Sequence, residues 1–332
     1  MNYKPFVTII IPTLNEEVFI RQCLSSAYAQ SYPQERIEIL VLDGGSHDNT
    51  LKIVREEQLY HPNLSVLRNP GKIQSAAFNK GVSVSKGEII IRWDAHCKYY
   101  SDYVYHCVKN HMKGIFGNVG GSIQVLPGSD SLMSRTIALI NTSAFGTGGA
   151  AFRSTPVEKF VDTVPYGSFR REIIEKIGPM NEDLQRGEDN EYNARIRNAG
   201  YKILLDPEIK SCYYARKDLR SFLKQMGSNG YSIGILLRMS FKYTELRHLV
   251  PLLFFLFIAT GLILFPFFLY ARIIFLFIFA LYFLVSLTFA VMAGIGNDFR
   301  IIPLMVFSVF CVHLFYGYCI LKGLIEWRPS KK

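Results

Sequence analysis

The chain has 332 residues, enough for one large domain and a further region. Its formal net charge of +10 suits an anionic membrane face or a phosphorylated substrate, and with no basic helix and no aromatic–basic repeat nucleic acid is set aside. The six cysteines, at 23, 97, 107, 212, 311 and 319, include no C-x-x-C pair, which argues against a zinc framework or a disulfide scaffold and fits a reducing compartment.

Met1-Asn2-Tyr3-Lys4-Pro5 carries no signal-peptide pattern, so the soluble part is expected in the cytosol. Phe6 to Ile11 is a β-branched run closed by Pro12 and predicts a first strand. The polar turn Thr13-Leu14-Asn15-Glu16-Glu17 leads into apolar positions at helical spacing, Ile20, Leu24 and Ala27. Ile37 to Leu42 predicts a second buried strand, ending in Asp43-Gly44-Gly45-Ser46-His47-Asp48-Asn49-Thr50. Leu64 to Leu67 predicts a third, and Ser75 to Val84 a helix carrying Asn79. Glu88 to Trp93 predicts a fourth strand that stops at Asp94-Ala95-His96.

Strand, loop and helix alternate, so an α/β fold with a mostly parallel sheet is expected. Acids at the C-terminal ends of such strands line a ligand crevice. Asp48 reads as a helix cap, whereas Asp43, directly off its strand, reads as functional. Asp94 and His96, an acid and an imidazole two residues apart, read as ligands for a divalent metal; a structural Asp is the plainer alternative.

The middle section runs from about Gly117 to Gly187. Gly146-Thr147-Gly148-Gly149-Ala150-Ala151 fits G-x-G-x-x-A, but a helix-like run, Leu132 to Asn141, precedes it and Pro156 follows. A dinucleotide fingerprint needs a strand before it and a helix after it. A glycine-rich loop that lets backbone approach a ligand closely is the better reading, with Gly148 and Gly149 in it. His106, Cys107 and His111 have spacing for neither a ligand pair nor a triad and read as structural. A helix from Asn190 to Ala199 is expected, and acids at its start, Glu188 and Asp189, ordinarily serve as cap and dipole residues.

Residues 216–247 mix basic and apolar side chains and read as an amphipathic segment in the headgroup region. Leu249 to Tyr270, Ile273 to Gly294 and Ile301 to Leu321 are each long enough to cross a bilayer, with Arg272 in a tight connection between the first two. Lys242 and Arg247 before the first span place the preceding α/β part in the cytoplasm by the positive-inside rule. Three spans would put Lys322, Arg328, Lys331 and Lys332 outside, so a re-entrant segment or a tolerant tail is the alternative. The expected domains are 1–215, 216–247, 248–322 (about three transmembrane helices) and a basic tail at 323–332.

The ordered set Val7-Thr8-Ile9-Ile10-Ile11-Pro12-Thr13-Leu14-Asn15-Glu16-Glu17, Leu42-Asp43-Gly44-Gly45-Ser46-His47-Asp48-Asn49-Thr50, Trp93-Asp94-Ala95-His96 and Gly187-Glu188-Asp189-Asn190-Glu191 resembles the family 2 inverting glycosyltransferases with the GT-A fold. The resemblance covers roughly the first two-thirds of the chain. It implies that Pro12, Thr13, Asn15 and Glu16 hold a nucleoside, and that Asp43 contacts its uracil or ribose side. It places Lys72 and Asn79 near the base and phosphates. Asp94 and His96 match the metal-binding D-x-D motif, and Asp189 matches the catalytic base. Two positions depart from the family: Gly44 stands where a second Asp is frequent, and His96 where a carboxylate is frequent, which favours Mn²⁺ somewhat more than an all-oxygen site would. Asp-Ala-His, with Val164-Pro165-Tyr166-Gly167 and Leu205-Asp206-Pro207, looks like the branch with the succinoglycan-type glucosyltransferases of exopolysaccharide assembly. Processive relatives carry Q-x-x-R-W where this chain has Gln225-Met226-Gly227-Ser228-Asn229.

The resemblance therefore implies a membrane-bound, inverting, non-processive hexosyltransferase. It would use Mn²⁺ or Mg²⁺, a UDP-sugar donor and a lipid-linked saccharide acceptor, with membrane lipid around it. The section from about Gly117 to Gly187 would then supply the acceptor side, with Gly148, Gly149, Tyr166, Glu188 and Gln225 as acceptor-side candidates. An enzyme that loads polyprenyl phosphate with a sugar, and a catalytically silent nucleotide-binding scaffold, are the competing readings.

Overall fold

A computed structural model describes residues 3–153 and 156–327. Met1 and Asn2, and Arg328, Lys331 and Lys332 of the expected basic tail, lie outside the described residues. The chain runs β1 (Val7–Thr13), α1 (Ile20–Tyr28), β2 (Ile37–Asp43), α2 (Thr50–Gln58), β3 (Leu64–Arg68), α3 (Gln74–Val84), β4 (Ile89–Arg92), β5 (Cys97–Tyr99) and α4 (Tyr103–Lys113). It continues through β6 (Asn118–Leu126), α5 (Leu132–Thr142), α6 (Ala144–Thr147), β7 (Lys159–Val161), β8 (Ser168–Arg170), α7 (Arg171–Ile177), α8 (Glu188–Asn198) and β9 (Ile203–Tyr214). Four long helices close it: α9 (Leu219–Met239), α10 (Val250–Leu264), α11 (Leu269–Gly294) and α12 (Ile301–Glu326).

The described residues form two compact units, one within 1–124 and 151–213 and the other within 125–150 and 214–332. Residues 125–150, expected within a 1–215 domain, thus leave the first unit and join the second. The reason is apolar: Ile137 and Ile140 of α5 are fully buried in one cluster with Met305, Val309 and Val312 of α12.

In the first unit the strands run in the order β3-β2-β1-β4-β8-β6-β9-β5, with β7 beside β9. β3, β2, β1 and β4 are parallel, and β8 turns antiparallel on β4. Alternate side chains feed two cores, as a strand buried on both faces requires. Ile9, Ile11, Ile39, Val41, Ile89 and Ile91 face α1 and α4 in one. Ile10, Leu40, Leu42 and Ile90 join Phe78 of α3 and Tyr192 of α8 in the other. The strand order reverses direction at β1, between β2 and β4. The crevice beyond the carboxyl ends there is where such sheets bind ligands. Thr13, Asp43 and Arg92 stand at those three ends.

In the second unit, Leu246–Leu264, Leu269–Gly294 and Ile301–Glu326 are long and apolar enough to cross a membrane, with mean hydropathies of 2.0, 2.6 and 2.0. The break between the first two falls at Phe265–Phe268 and not at Arg272, because Pro266 cannot continue a helix. Arg272 lies in the first turn of α11, its Nε donating to the Phe265 carbonyl (3.3 Å) with its guanidinium over the Phe265 ring. The segment 216–247, expected along the headgroups, is mostly the 21-residue α9. Its run Ser232–Leu237 is buried, and α9 lies along α12. Small residues permit the approach. A Cβ at Gly230 would lie 2.6 Å from the Tyr316 carbonyl, and Cβ atoms at Gly234 and Gly323 would collide with the Ile320 and Tyr231 carbonyls. His313, inside α12, has one ring nitrogen 3.0 Å from the Tyr282 hydroxyl and the other 2.9 Å from the Phe145 carbonyl, so it satisfies both nitrogens within the unit.

Candidate active site

The loops after β1 and β2 are built as one surface. The Asn15 backbone N–H donates to Ser46 Oγ (2.9 Å), and His47 N–H donates back to Asn15 Oδ1 (2.9 Å). Glu16 N–H donates to Thr50 Oγ1 (2.8 Å) and Glu17 N–H to Asp48 Oδ2 (3.1 Å). Asp48 also accepts from the Thr50 N–H (3.0 Å) at the start of α2, although the cap position itself is held by Asn49, which makes no side-chain cap. Asp43 is buried and folds its own loop, accepting from the N–H groups of Gly45 (2.9 Å) and Ser46 (3.2 Å). Two carboxylate oxygens offer about four acceptor positions, so that duty leaves Asp43 capacity for a ligand. Lys72 belongs to the same surface, its Cα 3.4 Å from where a Cβ at Gly44 would stand.

Three described non-glycine residues adopt positive φ: Asn15 (55°), Lys72 (57°) and Tyr166 (48°). Such backbone costs energy and persists where the surroundings enforce it. Asn15 and Lys72 border the crevice. Tyr166, expected on the acceptor side, is core instead: the Cys97 thiol donates to its hydroxyl (2.9 Å), and the Tyr103 hydroxyl donates to its carbonyl (2.6 Å). It packs edge-on to Tyr99, beneath the Asp94 loop. Asn79 is also spoken for. Its amide nitrogen donates to the Met180 carbonyl (2.9 Å) and to Glu182 (2.8 Å), and its oxygen accepts from the Met180 N–H (2.8 Å). It ties α3 to the segment before α8.

The turn after β4 is gripped from below. The Asp94 N–H donates to the Tyr99 hydroxyl (2.7 Å), which donates back to the Asp94 carbonyl (3.3 Å). The Tyr99 ring stacks on Trp93 at 3.8 Å. Asp94 Oδ1 is buried without a hydrogen bond. A buried carboxylate oxygen that makes no hydrogen bond is costly. His96 Nδ1 is 3.4 Å from Glu16 Oε1, so the imidazole meets the first loop.

Glu188 and Asp189 open α8 after Gly187, which takes the left-handed conformation. Both reach Arg92, a buried residue that the reading of the chain left without a role. Arg92 Nη1 donates to Glu188 Oε1 (3.1 Å) and Gln74 Oε1 (3.0 Å), and Nη2 donates to Asp189 Oδ2 (2.9 Å). Asp94 Oδ1 is 3.8 Å from the same guanidinium. One signal pointed to it: Arg92 and Asp94 are two residues apart at a strand end, a spacing that puts both on one face.

Burial works against the Arg92 charge, but Asp189, Asp94 and Glu188 outweigh it and raise its pKa further. Glu188, with a side chain only 6% exposed, is pushed up to about 7, first by burial and then by Asp189. Asp189 is raised as well, by burial and by Asp94, against the pull of Arg92. Its side chain is 37% exposed, so of the two acids it is the one open to a partner. By contrast His111 is buried against Ser168, its pKa lowered to about 3 by burial, in keeping with a structural role.

Gly148, Gly149 and Gln225 belong to the second unit. The two glycines take left-handed conformations after α6, and Gln225 accepts from Arg216 Nε (3.2 Å).

Among the described residues no three of His, Cys, Asp or Glu form a metal cage. Asp94 with His96 suits a different arrangement. Mg²⁺ and similar ions are held by one or two protein ligands plus substrate phosphates, and the unbonded Asp94 Oδ1 is a fitting donor.

Residues 8–178 match the family model described as glycosyl transferase family 2. The chain is 31% identical to the dolichyl N-acetyl-alpha-D-glucosaminyl phosphate 3-beta-D-2,3-diacetamido-2,3-dideoxy-beta-D-glucuronosyltransferase of Methanococcus voltae, over 98% of this chain and 99% of that one. It is 30% identical to the succinoglycan biosynthesis protein ExoA of Rhizobium meliloti over 64% of each. Among solved structures, the mannosyltransferase PcManGT from Pyrobaculum calidifontis, in complex with GDP-Man and Mn²⁺, superposes with a TM-score of 0.60 at 19% identity, covering 98% of this chain and 89% of the other. That likeness shows the GT-A fold.

Proposed function

This chain belongs to glycosyl transferase family 2 and is a glycosyltransferase, and on that premise we propose that it transfers single sugars, with inversion, from a UDP-sugar to a lipid-linked saccharide at the cytoplasmic membrane face. The observation that carries the site assignment is the convergence of Asp94 and Asp189 on Arg92 at the carboxyl ends of the sheet. The full-length match to an enzyme named for a dolichyl-linked sugar substrate supports a hydroxyl on a lipid-linked saccharide as acceptor. Lys242 and Arg247 ahead of the first span support the cytoplasmic placement.

The loops after β1 and β2 hold the nucleoside through Pro12, Thr13, Asn15, Glu16 and Asp43, and Lys72, in the loop after β3, lies toward the base and phosphates. Asp94 and His96 would hold a divalent ion. Such an ion, when bound, offsets the negative charge growing on the departing diphosphate. Asp189 takes the proton from the acceptor hydroxyl as its oxygen bonds to the anomeric carbon. The bond to the diphosphate breaks on the opposite face, UDP leaves, and the configuration inverts. Nothing covalent forms on the protein.

The test is a donor panel of UDP- and GDP-sugars, read by nucleoside diphosphate release with Mn²⁺ or Mg²⁺. Membranes containing lipid-linked saccharide serve as one acceptor and polyprenyl phosphate as the other. Transfer from a UDP-sugar to the saccharide is expected. Sugar delivered to the phosphate itself would overturn the acceptor assignment, and release from GDP-sugars alone would overturn the donor.

A further inference from the structure

An arginine in a buried strand gives up its hydration and persists only where acceptors replace the water. Arg92 is 5% exposed and ends a strand whose preceding residues, Ile89 to Ile91, are all isoleucine. An apolar side chain would fill that place without the desolvation cost. In return the guanidinium reaches three acceptors on two other elements: Gln74 where α3 begins, and Glu188 and Asp189 where α8 begins. Its bond to Asp189 engages Oδ2, which leaves Oδ1 to receive a proton. Asp94 is secured separately. Tyr99 grips its backbone on both sides, while Arg92 stands 3.8 Å from Oδ1, beyond hydrogen-bond reach.

We infer that Arg92 is the positioning residue for Asp189: it fixes the base's carboxylate by one oxygen and locks the start of α8 to β4, while Tyr99 independently holds Asp94. The inference rests on the proposed reading in which Asp189 takes the acceptor proton. A planar fork with several donors suits the task. An ammonium, one point charge, cannot span all three acceptors.

The experiment uses the full chain in detergent, with Arg92→Met and Arg92→Lys made in the wild-type and in the Asp189→Asn background. Turnover is measured alongside Mn²⁺ affinity in the presence of UDP, read by paramagnetic resonance. Arg92→Met is expected to lower kcat on the order of 100-fold, with donor KM and Mn²⁺ affinity changing less than about 3-fold. Arg92→Lys should recover part of that loss, ending about 10-fold below wild type. In the Asp189→Asn background neither change should cost anything further, because the group through which Arg92 acts is already gone. Equal losses in both backgrounds, or loss of Mn²⁺ binding in Arg92→Met, would overturn the inference even where the wild type performs as proposed. If thermal unfolding shows that Arg92→Met does not fold, Arg92→Lys decides alone, and an unchanged kcat overturns the inference. A wild type that neither binds Mn²⁺ with UDP nor transfers sugar would instead remove the underlying reading.

Discussion

The two units treat polar groups in opposite ways. At the sheet ends of the first, a buried cation stands among three carboxylates, one of them with an unbonded oxygen. In the second, helices meet through glycines and carbonyls, and the polar node at His313 has both ring nitrogens satisfied within the unit. Buried charge is costly, so where it is kept it points to chemistry. Close glycine contacts cost little and report packing. On the proposed reading, Asp94 and Asp189 in the first unit act on the reacting groups, while the glycine contacts of the second unit serve its packing.

Four changes press on that contrast. The largest effect is expected from Asp189→Asn, which keeps the shape and removes the base. Transfer should fall about 10²- to 10⁴-fold with UDP binding retained, read by UDP release and by equilibrium binding. Near-normal turnover would move the base elsewhere. Asp94→Asn should cost on the order of 100-fold and weaken Mn²⁺ binding, since a neutral amide is a poor ligand. Titrating activity against Mn²⁺ separates that loss from a folding defect. In the second unit, Gly234→Leu would drive a side chain into the Ile320 carbonyl and should destabilise the chain by about 1–3 kcal/mol, seen as a lower unfolding midpoint. UDP binding below that midpoint should be unchanged, and a lost nucleotide site would erase the division between the units. The smallest effect is expected from His96→Ala, a loss of about 10-fold that is greater with Mn²⁺ than with Mg²⁺. Unchanged activity with both ions would leave Asp94 as the only assigned ligand.

Much of this molecule could be read from the chain alone. Strand, loop and helix alternate in the first unit with the expected spacing, because burial on both faces of a parallel sheet demands unbroken apolar runs. The three apolar helices follow from composition, because a bilayer tolerates few charges over about 20 residues. Asp43 and Asp94 stood out by their places at strand ends, whereas Asp189, at a helix start where acids ordinarily cap, was singled out only by the family resemblance. What the tertiary structure alone decided are the pairings between distant residues. Arg92 meets Asp189 across 97 positions, and Asn79 is consumed by Met180 across 101. Tyr166 turns into the core beneath the Asp94 loop, and residues 125–150 pack with α12. Periodicity and turn chemistry act over a few residues and leave their mark locally. Which ends of which elements share one crevice depends on strand order and helix packing, and no local pattern records that.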